Sequence, residues 1–321
     1  MYNEYLFKTK DGALLNVYKA GSGDKKIIIT NGLGGNFKIF REIIKFFPNY
    51  EFISWDYRGL YNSKTSANSK DVTLHHHISD LKEIIEKENI EEAIFLGWSL
   101  GVQVIFELYK TNPELFEAMI LISGPYKNLL KNIVDINRIP ELPEPFNGYL
   151  NQYILPRIKP LTDEVNNFLY KIDIESILNS AISYSQQYHK IYSLGLKTLS
   201  KIPKISRYMK RLHMINDNMN DYFFEEVFRD YAKLDMDVYL EMVKDFSRQD
   251  YENILKTISC PTLVVGSTRD IFVPIEDIKH MAEIIPNSEY LEIFRGSHYG
   301  LVEFPKMLNL GIKRFLRKNN L

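Results

Sequence analysis

Hydrophobic positions along this chain follow two patterns, and the alternation between them is the first structural signal. Uninterrupted apolar runs occur at residues 26–30 (KIIIT), 93–98 (AIFLGW) and 118–123 (AMILIS). A run with no polar alternation fits a strand covered on both faces, as in a parallel sheet between helix layers. Residues 14–19, 51–55, 261–267 and 288–294 read as further strands. Between them lie segments at 37–47, 71–88, 102–110, 275–285 and 306–316 with apolar residues three and four apart. That spacing predicts helices with one buried face. Pro48 and Pro113 lie just beyond two of them, and Thr73 is placed to cap the 71–88 helix.

Strands alternating with helices of this length build βαβ units. The alternation breaks after Pro125 and resumes at Pro261. Residues 126–254 show no strong strand pattern and carry prolines at 140, 143, 145, 156, 160 and 203. The expectation is an α/β fold: a mostly parallel sheet flanked by helices, formed by residues 1–125 and 255–321. An α-helical cap is inserted at 126–254.

Composition excludes some functions. Hydrophobic residues make up 45% and charged residues 25% of the 321, enough for an ordinary soluble core. A formal charge of −1 supplies no field for a polyanion, so nucleic acid is not an expected partner. The single cysteine, Cys260, allows no internal disulfide and fits a reducing compartment. The opening MYNEYLFKTKDG lacks the apolar centre of a signal peptide. No apolar run reaches the ~18 residues that span a bilayer, and a cytoplasmic location is the expectation. His75, His76 and His77 are adjacent on a predicted helix, where neighbouring side chains diverge by about 100°, so they cannot converge on one ion. No metal and no cofactor are expected.

The chemistry begins at Gly97-Trp98-Ser99-Leu100-Gly101, a G-x-S-x-G between a predicted strand and a predicted helix. A serine raised above a sheet edge needs a very tight strand-to-helix turn, and the positions two before and two after it must then be small. The following helix points its free amides at the same spot. Chance gives on the order of 0.1 such patterns in a chain of this length, so the strand and helix around it carry the weight. The other reading is a glycine-rich turn with a serine capping the helix.

A serine needs a base, and the base needs a carboxylate to orient it. His298 in FRGSHYG follows the 288–294 strand, and Asp270 in GSTRD follows the 261–267 strand. Ser99, Asp270 and His298 occur in the order nucleophile, acid, base, each at a strand end. A surface histidine and a turn-capping aspartate are the alternatives, with Glu276 and Asp277 as substitute acids. The oxyanion donors are expected to be the backbone N–H of Leu100 and that of Leu33, in Thr30-Asn31-Gly32-Leu33-Gly34-Gly35. A phosphate loop is the competing reading there, but G-x-G-x-x-G and Gly-Lys-Ser/Thr are both missing.

With these residues in place, residues 10–125 and 255–318 resemble the α/β-hydrolases of the esterase/lipase superfamily, with a helical cap. The superfamily's Asp-x-Arg-Gly-x-Gly-x-Ser stretch appears as Asp56-Tyr57-Arg58-Gly59-Leu60-Tyr61-Asn62-Ser63, with Tyr61 in place of a glycine. Its common His-Gly before the oxyanion donor is Asn31-Gly32 here. Epoxide hydrolases and haloalkane dehalogenases share the architecture but require aspartate at the nucleophile. The resemblance therefore implies cleavage of a carboxylic ester or thioester through an acyl-enzyme on Ser99. Acyl transfer or C–C cleavage on the same triad, or a non-catalytic binding protein on the same fold, are the other outcomes.

Two features are weaker. Gly-Trp-Ser-Leu-Gly resembles the elbow of the carboxylesterases that cleave pimeloyl-carrier-protein methyl ester, and Trp98 either contacts substrate or packs the pocket wall. Residues 190–211 carry Lys190, Lys197, Lys201, Lys204, Arg207, Lys210 and Arg211 with no acid, among leucines and isoleucines. That segment could meet an acidic carrier protein or an anionic membrane surface, or be a solvated face. The cap's aromatics, Tyr149, Tyr153, Tyr188, Tyr222, Phe223 and Phe224 among them, are candidates to line an acyl pocket.

Overall fold

The apolar runs become the inner strands of one sheet. The structure, a computed structural model, describes residues 2–68, 70–127, 189–212 and 214–321. Its strands are β1 (Tyr2–Lys8), β2 (Leu14–Ala20), β3 (Lys25–Thr30), β4 (Tyr50–Trp55), β5 (Ala93–Trp98), β6 (Phe116–Ile122), β7 (Thr262–Ser267) and β8 (Ser288–Ile293). They lie in the order β1-β2-β4-β3-β5-β6-β7-β8. The β1–β2 and β2–β4 pairs are antiparallel and the rest are parallel.

Along β5, Ile94 and Leu96 pack with Ile27, Ile29, Phe40 and Phe315 on one side. Phe95 between them packs with Ile28, Ile53, Leu81 and Val104 on the other. A strand covered twice has no face for polar residues, which explains the unbroken apolar run. Helices Leu74–Lys87, Gly101–Thr111 and Ile275–Ile284 cover one face. Arg41–Phe46 and Pro305–Lys318 cover the other.

Three local expectations are corrected. β1 was absent from the apolar pattern because most of its side chains are exposed, and antiparallel pairing with β2 holds it as an edge strand. The 37–47 segment starts as a 3₁₀ turn, Phe37–Phe40, capped by Asn36 through the Lys38 amide at 3.1 Å, before turning α-helical. Thr73 does occupy the N-cap, but its hydroxyl lies 2.8 Å from His76 Nδ1. The Leu74 N–H instead donates to the Asp245 carboxylate at 2.7 Å. The three histidines do diverge: His75 is exposed, His76 half-buried and His77 buried.

Within the proposed cap, residues 128–188 lie outside the described residues, and with them Tyr149, Tyr153 and Tyr188. Beyond them run the helices His189–Leu199, Ile205–Arg211, Asp221–Tyr231, Met236–Phe246 and Glu252–Leu255. The two ends of the 126–254 stretch meet, since the Tyr251 N–H donates to the Tyr126 carbonyl at 2.8 Å. Val238, Met242 and Phe246 join one core layer, and Ile215 and Phe223 join the other. Lys38 adds ion pairs to Glu226 at 3.0 Å and Asp230 at 2.9 Å. Among the described residues, no helix is long and apolar enough to cross a membrane.

Candidate active site

The elbow forms because two of its positions have no room for a side chain. A Cβ on Gly101 would stand 2.1 Å from the Thr30 carbonyl oxygen, and one on Gly97 2.8 Å from Ile105 Cδ1. Between them Ser99 takes φ +55°, a left-handed conformation that costs a non-glycine residue roughly 1–3 kcal/mol. Its N–H donates to the Ile122 carbonyl at 2.9 Å, and its own carbonyl accepts from the Val102 N–H at 3.0 Å. The strained residue is thus fixed by β6 on one side and by the following helix on the other.

His298 and Asp270 arrive from the loops after β8 and β7. His298 Nε2 lies 2.8 Å from Ser99 Oγ, and His298 Nδ1 lies 2.8 Å from Asp270 Oδ2. Both members of this pair are buried, with side-chain exposures of 9% and 1%. The other Asp270 oxygen accepts from the Phe272 and Val273 amides at 2.9 and 3.0 Å. Asp270 therefore caps a turn with one oxygen and holds the imidazole with the other, so the two sequence alternatives are both met by one carboxylate. Asp277 instead faces Lys127 Nζ at 3.4 Å.

The Asn31-to-Gly35 loop lies against the elbow. A Cβ on Gly32, the residue before Leu33, would stand 3.0 Å from Ser99 Cβ. Leu100 occupies the N-cap of the Gly101–Thr111 helix. Among the described residues, neither the Leu33 nor the Leu100 amide donates to another protein group. Asn31 is buried, and its backbone carbonyl accepts from the Tyr57 hydroxyl at 2.7 Å.

Trp98 is 4% exposed and lies beneath the histidine loop, where its indole N–H donates to the His298 carbonyl at 3.1 Å. Its ring centroid is 5.5 Å from that of His298 and 5.6 Å from that of Tyr299. These contacts fit the packing alternative for Trp98. The Asp56–Ser63 stretch builds scaffold nearby. Buried Arg58 bonds Asp80 through two nitrogens and reaches Asp11 with a third. Tyr61 takes φ +50°, which explains why a glycine suits that position, and its hydroxyl donates to the Gly34 carbonyl.

Sequence reasoning missed a group of tyrosines around Gly34. A Cβ there would meet Tyr231 Cε2 at 2.6 Å and Tyr239 Cε2 at 3.1 Å, and the two rings stand edge to face at 5.6 Å. Burial pushes the Tyr61, Tyr231 and Tyr239 phenols upward, and that of Tyr299 up to about 12. All four keep their protons at neutral pH. Of the expected aromatic lining, Phe223 and Phe224 are core residues, with Arg41 over the Phe223 ring at 4.0 Å, and Tyr222 is 74% exposed. In the basic segment, Lys210 pairs with Asp221 at 2.7 Å, while Lys197, Lys201, Lys204, Arg207 and Arg211 are exposed.

Comparison with known proteins agrees with the fold. A family model described as alpha/beta hydrolase fold matches residues 25–305. The chain is 21% identical to a proline iminopeptidase of Chitinophaga pinensis, over 98% of this chain and 97% of that protein. It is 24% identical to the pimeloyl-[acyl-carrier protein] methyl ester esterase of Wigglesworthia glossinidia brevipalpis, over 94% and 96%. Among solved structures, an esterase from Exiguobacterium antarcticum superposes with a TM-score of 0.70 at 15% identity, covering 98% of this chain and all of that one.

Proposed function

The chain belongs to the alpha/beta hydrolase fold family, and from that premise we propose that it cleaves a carboxylic ester or thioester through an acyl-enzyme on Ser99. The observation that supports this most is the continuous hydrogen-bonded chain Ser99–His298–Asp270, 2.8 Å at each link. The Ser99 hydroxyl attacks the carbonyl carbon while His298 Nε2 takes its proton. Asp270 holds the Nδ1–H tautomer and stabilises the imidazolium. The oxyanion is received by the Leu33 and Leu100 amides, each such donor being worth about 3–4 kcal/mol in the transition state. His298 then returns the proton to the leaving alcohol or thiol. A water activated by the same ring releases the acid.

The site alone does not choose the leaving group, since the relatives above include a peptidase and an ester hydrolase. The deciding experiment is a p-nitrophenyl ester chain-length series beside acyl-CoA and acyl-carrier-protein thioesters and proline p-nitroanilide. Ester or thioester turnover that disappears in Ser99→Ala and His298→Ala supports the proposal. Turnover of the anilide alone replaces it with peptidase action. Absence of fluorophosphonate labelling of the wild type removes the serine nucleophile altogether. A carrier thioester preferred over the CoA thioester, with the preference lost when Lys197, Lys201 and Arg207 are neutralised, would assign the exposed basic segment to carrier recognition.

A further inference from the structure

The loop that carries His298 is anchored to a second carboxylate. Glu303 ends the short helix Gly300–Glu303 and is 4% exposed. Its Oε2 accepts from the Ser297 N–H at 2.8 Å. Its Oε1 accepts from the Ser297 hydroxyl and from the Asn216 N–H, both at 2.7 Å. The Ser297 hydroxyl in turn accepts from the Tyr299 N–H at 3.1 Å. The residues on both sides of His298 are therefore fixed, directly or through one hydroxyl, to a single buried carboxylate. Among the described residues, its partners are the hydrogen-bond donors of Ser297 and Asn216, with no ion pair.

Asn216 comes from the inserted segment, and it grips the same loop twice. Besides its backbone bond to Glu303, its Nδ2 donates to the Arg295 carbonyl at 2.8 Å. Arg295 is itself held at φ +60°, and its N–H donates to Thr268 Oγ1 at 2.7 Å. The loop is thus clamped by the acid-bearing turn on one side and by the insertion on the other.

We infer that Glu303 is a positioning residue that seats His298 through Ser297, and that Asn216 makes the inserted segment part of that seating. The inference rests on the reading of Ser99 and His298 as nucleophile and base. Its physical basis is the count of acceptors. Three donors converge on two carboxylate oxygens, which have lone pairs for all of them. A glutamine in the same place has one acceptor oxygen and an NH₂ that must face a donor, so the loop has to shift. A displacement of the base by about 1 Å costs on the order of 100-fold in rate.

The test compares Glu303→Gln, Ser297→Ala, the double variant and Asn216→Ala with wild type, each below its measured unfolding temperature. In Glu303→Gln the second-order rate of fluorophosphonate labelling and kcat on a p-nitrophenyl ester fall about 10–100-fold, with KM within about threefold. The double variant is no slower than Glu303→Gln, because both changes remove the same link. Asn216→Ala loses about threefold to tenfold in kcat. A Glu303→Gln enzyme at the wild-type rate overturns the inference, and so do losses that multiply independently in the double variant. Amide hydrogen exchange gives a readout that needs no turnover. Exchange rises together in residues 294–304 and 214–220 of Glu303→Gln, and a rise confined to the first stretch removes the insertion from the mechanism. If wild type resists labelling while both stretches respond, the hydrolase reading fails and the anchoring of the loop stands.

Discussion

The indole of Trp98 donates a hydrogen bond to the backbone of His298, the residue whose ring meets Ser99, the neighbour of Trp98. The elbow strand and the histidine loop are thus joined twice across 200 residues of chain, once by the Ser99–His298 side-chain contact and once by a bond beneath it. Trp98→Phe keeps an aromatic side chain but removes the donor and part of the buried indole, leaving a buried carbonyl without its partner. The loss in stability is about 1–3 kcal/mol. On the proposed mechanism kcat falls about threefold to tenfold with KM nearly unchanged, because the base and not the substrate is disturbed. Steady-state kinetics with a thermal melt check this, and a rise in KM alone would return Trp98 to a substrate contact.

Two glycines on helices make opposite predictions. At Gly101 an added methyl meets the Thr30 and Asn31 carbonyl oxygens at 2.1 and 2.6 Å, and backbone cannot step aside. Gly101→Ala should lose more than about 4 kcal/mol or fail to fold. At Gly195, in the helix His189–Leu199, nothing lies within 4 Å of the added Cβ. Gly195→Ala should stabilise by about 0.5–1 kcal/mol through the helix preference of alanine. Urea unfolding of both variants is the measurement.

The Arg58–Asp80 pair holds the loop that follows β4. Both side chains are essentially inaccessible, at 1% and 0%. Removing one partner strands the other charge in the interior, at a cost of about 3–5 kcal/mol. Arg58→Ala should lose that much, while Asp11→Asn, which removes only the half-exposed third contact, should lose about 1 kcal/mol or less. Equal losses in the two variants would show that the bidentate pair is not the stabilising element.

His77 predicts a pH dependence. Burial, reinforced by the positive charge of Arg58, holds its imidazole down at about 3. In the unfolded chain it titrates near 6.5. Between these values the unfolded state binds a proton that the folded state does not. The contribution to stability is therefore complete above about pH 6.5 and is lost as the pH falls toward 3. His77→Phe, packed between Tyr57 and Phe246, removes that loss. Wild type should lose stability up to about 1.4 kcal/mol per pH unit faster than the variant between pH 6 and 4. Parallel curves in denaturant titrations would exclude His77 as the source.

Much of this architecture was legible along the chain, for identifiable reasons. The inner strands announce themselves because covering on both faces forbids alternation, as Ile94, Phe95 and Leu96 show by facing opposite layers in turn. Ser99, Asp270 and His298 were readable because each sits at a strand end in a loop with its own local signature. β1 was not, because backbone pairing and not burial makes it a strand. Tyr231, Tyr239 and Asn216 were not, because what they touch is decided by how the inserted helices dock. Their own neighbours in sequence carry no trace of Gly34 or Arg295. Glu303 lies only five positions beyond His298, yet its role depends on a turn that folds it back.

The bond between Tyr251 and Tyr126 has an evolutionary consequence. The chain departs from the sheet and returns to it through one doorway, so the strands on either side do not register how long the excursion was. Residues can be added to the excursion or removed from it while β6 and β7 remain side by side.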